Sequence, residues 1–157
     1  ATLLRSARAE ELILAYHDRS DGGALTTLVE MAFAGRSGLT VEVGDAECLP
    51  QLFSEELGVV VQIPVAARER FEALAIEAGL GDCVRVIAEP NSEDRIVIRS
   101  GSSELFSASR AELQRRWSQT SFHMQSLRDN SDCAQEEYDQ LLARDEGLHS
   151  QLSFDVN

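Results

Sequence analysis

Lysine is absent from this 157-residue chain, and cysteine, proline and tryptophan are scarce, with three, three and one copies. Without lysine there is no Gly-Lys-Ser/Thr, so a P-loop for nucleotide phosphates is excluded. The three cysteines, Cys48, Cys83 and Cys133, are odd in number, scattered, and form no CxxC pair. That argues against a disulfide framework or a structural zinc site and reads as free thiols of a reducing cytoplasm. Long apolar runs are missing too. The longest, Gly58-Val59-Val60-Val61-Gln62-Ile63, is strand-sized and well short of a bilayer, so no membrane partner is expected. The first apolar segment is interrupted by Arg5, Arg8, Glu10 and Glu11 and does not read as a secretory signal. A cytoplasmic location is the expectation. Basic residues are few: 14 against 27 acidic ones, for a net charge of −13. Such a surface repels nucleic acid, whose binding draws on cations to neutralise phosphates. Its acidity serves solubility.

What is present fits one domain with an extension. Hydrophobic residues make up 43% and charged residues 26%, an ordinary globular balance in a chain long enough to bury one core. The first residue is Ala, and a helical pattern is already under way there, as expected of a segment of something longer; a processed N-terminus would look the same. Leu3, Leu4, Ala7, Leu12, Ile13 and Ala15 predict a helix ending near His17. A second helix is predicted from about Ala24 to Ala34, burying Leu25, Leu28, Val29, Ala32 and Phe33, with Gly35 and Gly38 stopping it. Strands are predicted at Leu39–Val43, Val59–Ile63 and Val84–Ala88. A turn at Glu89-Pro90-Asn91-Ser92 then leads to a hairpin of Arg95–Arg99 and Glu104–Ser107 through Ser100-Gly101-Ser102. Further helices are expected at Leu49–Leu57, at Ala66–Ala78 with Phe71, Leu74 and Ala75 inward, from Ser109 to about Arg128, and over Cys133–Ala143. The expected fold is therefore α/β (α+β), a layered mixed sheet of about five strands with about five helices. The expected division is an α/β domain over 1–108, a helical extension over 109–144, and a linker over 145–157, where apolar residues thin out.

One segment combines several demands of chemistry, His17-Asp18-Arg19-Ser20-Asp21-Gly22-Gly23. Adjacent glycines permit positive φ and close approach of a ligand to the backbone. The segment opens a predicted helix, whose free N–H groups and dipole favour phosphate. Asp18 and Ser20 lie two apart and share one side if the backbone is extended, a pairing suited to a magnesium ion and a phosphate oxygen. The plainer alternative is that Ser20 or Asp21 caps the helix and the glycines form its entry turn. A calcium EF-hand is excluded, because Gly22 stands where an oxygen ligand is required and Val29 where the closing Glu belongs. His17 is either a general base or a hydrogen-bonded turn residue, the latter being commoner. Glu55 and Glu56 pair before a strand and read equally as solvated helix-end charges. His123 and His149 have no acidic or thiol neighbours at ligand spacing. Trp117, Phe122 and Met124 sit on an otherwise polar helix and pack either on the domain or on a neighbour.

The turn segment, followed by Leu28-Val29-Glu30-Met31-Ala32-Phe33-Ala34-Gly35, resembles the final synthetase segment of long bacterial phosphoribosylformylglycinamidine synthases. So do Leu52-Phe53-Ser54-Glu55-Glu56-Leu57-Gly58, and Met124-Gln125-Ser126-Leu127-Arg128-Asp129-Asn130 with Cys133-Ala134 and Glu136. The blocks run in the family's order from about His17 to Glu137, and Leu152-Ser153-Phe154-Asp155 also fits. Ala24 departs from a larger apolar residue and Ser54 from Asn.

The resemblance implies the C-terminal subdomain of the second synthetase half, plus a connector toward a glutaminase domain. It also implies the layered fold of the aminoimidazole ribonucleotide synthetase C-terminal domain. The implied reaction is that of a ligase of the glutamine amidotransferase type in purine biosynthesis. It consumes ATP, formylglycinamide ribonucleotide and glutamine and makes formylglycinamidine ribonucleotide, ADP, phosphate and glutamate. Carried over by motif, Asp18 is implied as a ligand of Mg²⁺ and Ser20 as a contact of a structural ATP or ADP. The other metal ligands would lie in the absent subdomains of the same polypeptide. No catalytic residue is implied, since no Cys here has a nucleophile-elbow context with a His partner. The isolated piece is expected to be inert. A non-catalytic scaffold that positions a glutaminase domain through the Trp117–Arg128 helix is the alternative. A selenophosphate synthetase or thiamine-phosphate kinase relative fits less well, given the block from Arg128 to Glu136.

Overall fold

The computed structural model describes residues 2–19, 21–44 and 48–143. The chain divides into two compact units, Ala1–Arg110 and Ala111–Asn157. The expected linker at 145–157 lies outside the described residues.

The first unit opens with α1 (Thr2–Ala9), β1 (Ala15–Asp18), α2 (Gly23–Gly35) and β2 (Gly38–Glu42). Next come α3 (Cys48–Phe53), β3 (Val59–Gln62) and a 3-10 turn at Val65–Ala67 that runs into α4 (Arg68–Glu77). A second 3-10 turn, Gly81–Cys83, precedes β4 (Ala88–Asn91), β5 (Arg95–Ser100) and β6 (Ser103–Ser109). The strands form two sheets. One pairs β1 with β3 antiparallel, in the register Tyr16 opposite Val61 and Asp18 opposite Val59. The other has the order β4-β2-β5-β6, with β2 and β5 parallel and the remaining pairs antiparallel. The expected mixed sheet among helices is present.

Apolar burial locates the cores. In the four-stranded sheet Leu39, Val41, Ile96, Val97 and Ile98 are buried, with Ile96 wholly inaccessible. Three consecutive buried residues on β5 mean that both faces of that strand are covered. Leu3 and Ala7 of α1 pack with Phe71, Leu74 and Ala75 of α4, the latter three as the helical spacing predicts. Leu12, Ile13, Val61 and Ile63 pack against that cluster. On α2 the buried residues are Gly23, Ala24, Thr27, Leu28, Ala32 and Phe33, while Leu25 and Val29, expected inward, are only half-buried.

Two segments correct the sequence-based expectation. The first helix does not reach His17; it stops at Ala9, and Ala15–Asp18 is a strand. Glu11 takes the left-handed conformation, φ 56°, and the Leu12 N–H closes the helix by donating to Ala7 O. Beyond that point long-range pairing with β3 overrides a pattern too short to separate helix from strand. The strand expected at Val84–Ala88 instead begins at Ala88 and runs through Pro90, which the sequence pattern places in a turn. Because β4 lies at the sheet edge and pairs only with β2, a proline lacking an N–H is tolerated there.

The second unit contains α5 (Arg110–Arg128) apart from its first residue, and α6 (Ser131–Gln140). Asn130 caps α6, its side-chain oxygen accepting from the N–H groups of Asp132 and Cys133 at 2.9 and 3.1 Å. The helices meet through Tyr138. Its ring stacks on Phe122 at 4.3 Å between centroids, the Arg115 guanidinium lies over it, and its hydroxyl donates to Arg115 O at 2.9 Å. Arg115 also pairs with Asp139 at 3.0 Å, and Gln125 donates to Glu137 at 2.8 Å.

Candidate functional site

The segment singled out in the sequence joins β1 to α2. On β1, His17 and Asp18 point to opposite sides, as successive strand residues must. His17 faces α2: its Nε2 lies 3.0 Å from Glu30 Oε2, and its Nδ1 donates to Asp18 O at 2.7 Å. Both ring nitrogens are thus engaged by groups of the protein, the structural alternative for this histidine. Thr27, wholly buried on α2, donates toward Asp18 O at 3.3 Å and to Gly23 O at 3.0 Å. The main chain at Asp18 is therefore tied to α2, while its side chain is exposed on the other face of the ribbon. There the Tyr16 hydroxyl, two residues back, donates to Asp18 Oδ1. That bond, then burial and the carboxylate charge, push the Tyr16 hydroxyl above its ordinary value.

The two glycines serve the turn itself. Gly22, at φ 81°, is the N-cap residue of α2 and supplies no side-chain cap. Gly23, at φ 72°, is pressed against the end of α3: a Cβ there would sit 2.7 Å from Phe53 C and 2.8 Å from Leu52 O. The space vacated by its side chain is filled by protein backbone rather than held open for a ligand, contrary to one expectation from the Gly-Gly pair. Asp21 is not the capping residue. The Gly22 N–H donates instead to Glu55 Oε1 at 2.9 Å, a carboxylate from the loop after α3. Glu55 and Glu56 are exposed, as solvated helix-end charges would be, and also have partners on the turn. Arg19 reaches the other way, its guanidinium 3.4 Å from Glu56 Oε2 and 3.4 Å from Gln51 O. Its Nε is buried without a hydrogen-bond partner. The Arg19 N–H donates to Gly58 O at 2.9 Å and extends the β1–β3 pairing by one rung.

Ser20 lies outside the described residues. Among the described residues, no three His, Cys, Asp or Glu side chains converge on a point where a metal ion could be held. Asp18 presents one exposed carboxylate, and the described residues form no closed metal site around it. The three cysteines are free thiols. Among the described residues no helix is long and apolar enough to cross a membrane.

The model of the family described as AIR synthase related protein, C-terminal domain, matches residues 2–101, which include the turn and both sheets apart from β6. The chain belongs to that family. Among solved structures it is similar to Thermotoga maritima PurL complexed with FGAR, with a TM-score of 0.60 and 21% identity over 71% of this chain and 19% of that one. The T. maritima protein named phosphoribosylformylglycinamidine synthase II gives a TM-score of 0.57 and 19% identity over 69% of this chain and 20% of that one. T. maritima PurL complexed with AMPPCP gives 0.58 and 18% over 91% of this chain and 28% of that one. At these identities the likeness is one of fold. The chain spans between about a fifth and somewhat over a quarter of the length of these structures.

Proposed function

We propose that this member of the family is the C-terminal subdomain of a synthetase half in a phosphoribosylformylglycinamidine synthase of the long bacterial type. Its parent enzyme would be a cytoplasmic, ATP- and glutamine-dependent ligase of purine biosynthesis acting on formylglycinamide ribonucleotide. The observation that carries this reading is the family match across the segment that presents Asp18. The ordered motif blocks from His17 to Glu137 narrow it to the amidotransferase, and the shared fold of T. maritima PurL, solved with FGAR and with ATP, supports the same choice.

In this reading Asp18 contributes one oxygen to a Mg²⁺ ion and Ser20 touches the nucleotide. The ion would neutralise phosphate charge, with its remaining ligands supplied by other subdomains. The chain's own part is to hold the carboxylate still. Thr27 anchors the Asp18 carbonyl, Tyr16 orients the side chain, and the Gly22-Gly23 turn is seated on α3. Alone, the chain would turn over nothing.

The test is Mg-ADP retention by the purified full-length protein carrying Asp18→Ala. Retention should fall at least about tenfold, the scale of losing a charge-assisted contact. Unchanged retention rules out Asp18 as a ligand. In parallel, glutamine-dependent ATP hydrolysis by the isolated chain should be absent; turnover at an enzyme-like rate would refute its inertness.

A scaffold role toward a glutaminase domain is the second reading, and one observation favours it. Leu113, Trp117, Met124 and Leu127 follow one stripe of α5, with Trp117, Met124 and Leu127 exposed at 58%, 67% and 90%. Arg115, Phe122 and Gln125, which meet α6, lie on the far side of the helix. The two roles are compatible, and unchanged nucleotide retention in Asp18→Ala would leave the scaffold alone.

A further inference from the structure

We propose that Glu55 is a positioning residue for the Asp18 turn, acting through the Gly22 N–H rather than by touching a ligand; the inference rests on the reading of Asp18 given above. Three independent contacts join the turn to the segment that ends α3 and leads into β3. Glu55 accepts from Gly22 N at 2.9 Å, at the first residue of the turn into α2. Gly23 seats against the backbone of Leu52 and Phe53 so closely that no Cβ fits. Arg19, adjacent to Asp18, returns the contact toward Gln51 O and Glu56, both at 3.4 Å. The turn thus reaches into the loop and the loop reaches into the turn.

The contacts are unequal, and that inequality singles out Glu55. Distances of 3.4 Å and a buried Nε without a partner mark the Arg19 side as loosely made. The Glu55 bond is short, charge-assisted and directed at a helix N-terminus, where a carboxylate interacts favourably with the dipole. It also takes up a backbone donor that a bare phosphate would otherwise claim. An anion at this turn would have to compete with Glu55 and stand near Asp18, Asp21 and Glu56 as well. The nucleotide is therefore better engaged through its cation at Asp18 than by direct phosphate contact with this helix end.

Three variants of the full-length protein test this: Glu55→Ala, Glu55→Gln and Asp18→Ala. The first readout is backbone hydrogen exchange over residues 18–24, which needs no nucleotide. Glu55→Ala should speed it about tenfold, the scale of one hydrogen bond to a charged group. Glu55→Gln, whose amide oxygen still accepts from Gly22, should restore most of the protection. The second readout is the Mg²⁺ concentration for half-maximal ADP retention, which should rise in Glu55→Ala and return toward normal in Glu55→Gln. Unchanged exchange in Glu55→Ala, or a Gln variant as impaired as the Ala variant, overturns the proposal. So does faster exchange with undiminished retention while Asp18→Ala loses it. If Asp18→Ala retains nucleotide in full, the reading of Asp18 fails separately, and Glu55 loses the ligand it was to serve.

Discussion

The two units solve the problem of holding together in different ways. The first buries Leu39, Val41, Ile96, Val97 and Ile98 in its larger sheet and a second cluster between α1 and α4. The second, among its described residues, buries only Ala134. It relies on Tyr138, which a ring, a guanidinium and a carbonyl all engage, and on the Arg115–Asp139 pair. Hydrophobic burial scales with area and makes the first unit resistant to loss of any one polar contact. The helical hairpin depends on a few directional contacts, each worth about 1 kcal/mol. Its unburied apolar stripe on α5 is the counterpart of that economy.

Substitutions should break this contrast in a definite order. Ile96→Ala empties a wholly inaccessible position on a strand covered on both faces, and should cost the first unit about 3–4 kcal/mol in urea unfolding. Gly23→Ala combines a positive φ with a backbone collision and should cost about 2–4 kcal/mol, with residues 18–24 losing exchange protection. In the hairpin the largest single effect should come from Tyr138→Ala. A loss of about 1–2 kcal/mol is expected, seen as reduced helical circular dichroism on warming, with the first unit's sheet unaffected. Asn130→Ala removes the cap of α6 and should cost about 1 kcal/mol, Asn130→Asp very little. If Tyr138→Ala instead destabilised both units as Ile96→Ala does the first, the contrast would collapse.

The smallest effect is a pH dependence. A hydrogen bond from Arg70 holds Glu10 below its ordinary value, and one from Arg128 does the same for Asp129. A lowered folded value means that the stabilisation is fully present above the unfolded carboxylate range and is lost as pH falls through the folded value. Both pairs are solvent-exposed, so the effect should be small and should fade in molar salt. Comparing Glu10→Gln with the unaltered protein should show a difference at pH 7 that vanishes in acid.

Much of the architecture was legible in the sequence where periodicity ran long enough. Phe71, Leu74 and Ala75 are inward on α4, and the β5–β6 hairpin turns where Ser100-Gly101-Ser102 indicated. What failed was local ambiguity resolved by distant partners. Nothing near Ala15–Asp18 says that β3 will pair with it, and nothing near Pro90 says that β4 will be an edge. For the site, the chemistry-bearing segment stood out, but the reason for its glycines did not. Spacing shows that Gly23 permits a close approach; only the fold shows that α3 makes it. Glu55 carried no distinguishing signal beyond its place in a motif, because its partner is a backbone N–H thirty-three residues away in sequence.

The ribbon of β1 and β3 has a consequence for the order in which the protein acquires its structure. Asp18 lies opposite Val59, so pairing of the strand that presents it must close the whole stretch of chain that carries α2, β2 and α3. Contacts of such separation are slow to form. The turn that the motif makes conspicuous is therefore expected among the later features to become native in refolding. A nascent chain that had not yet exposed Gln62 would carry the motif in full and lack the geometry that gives it meaning.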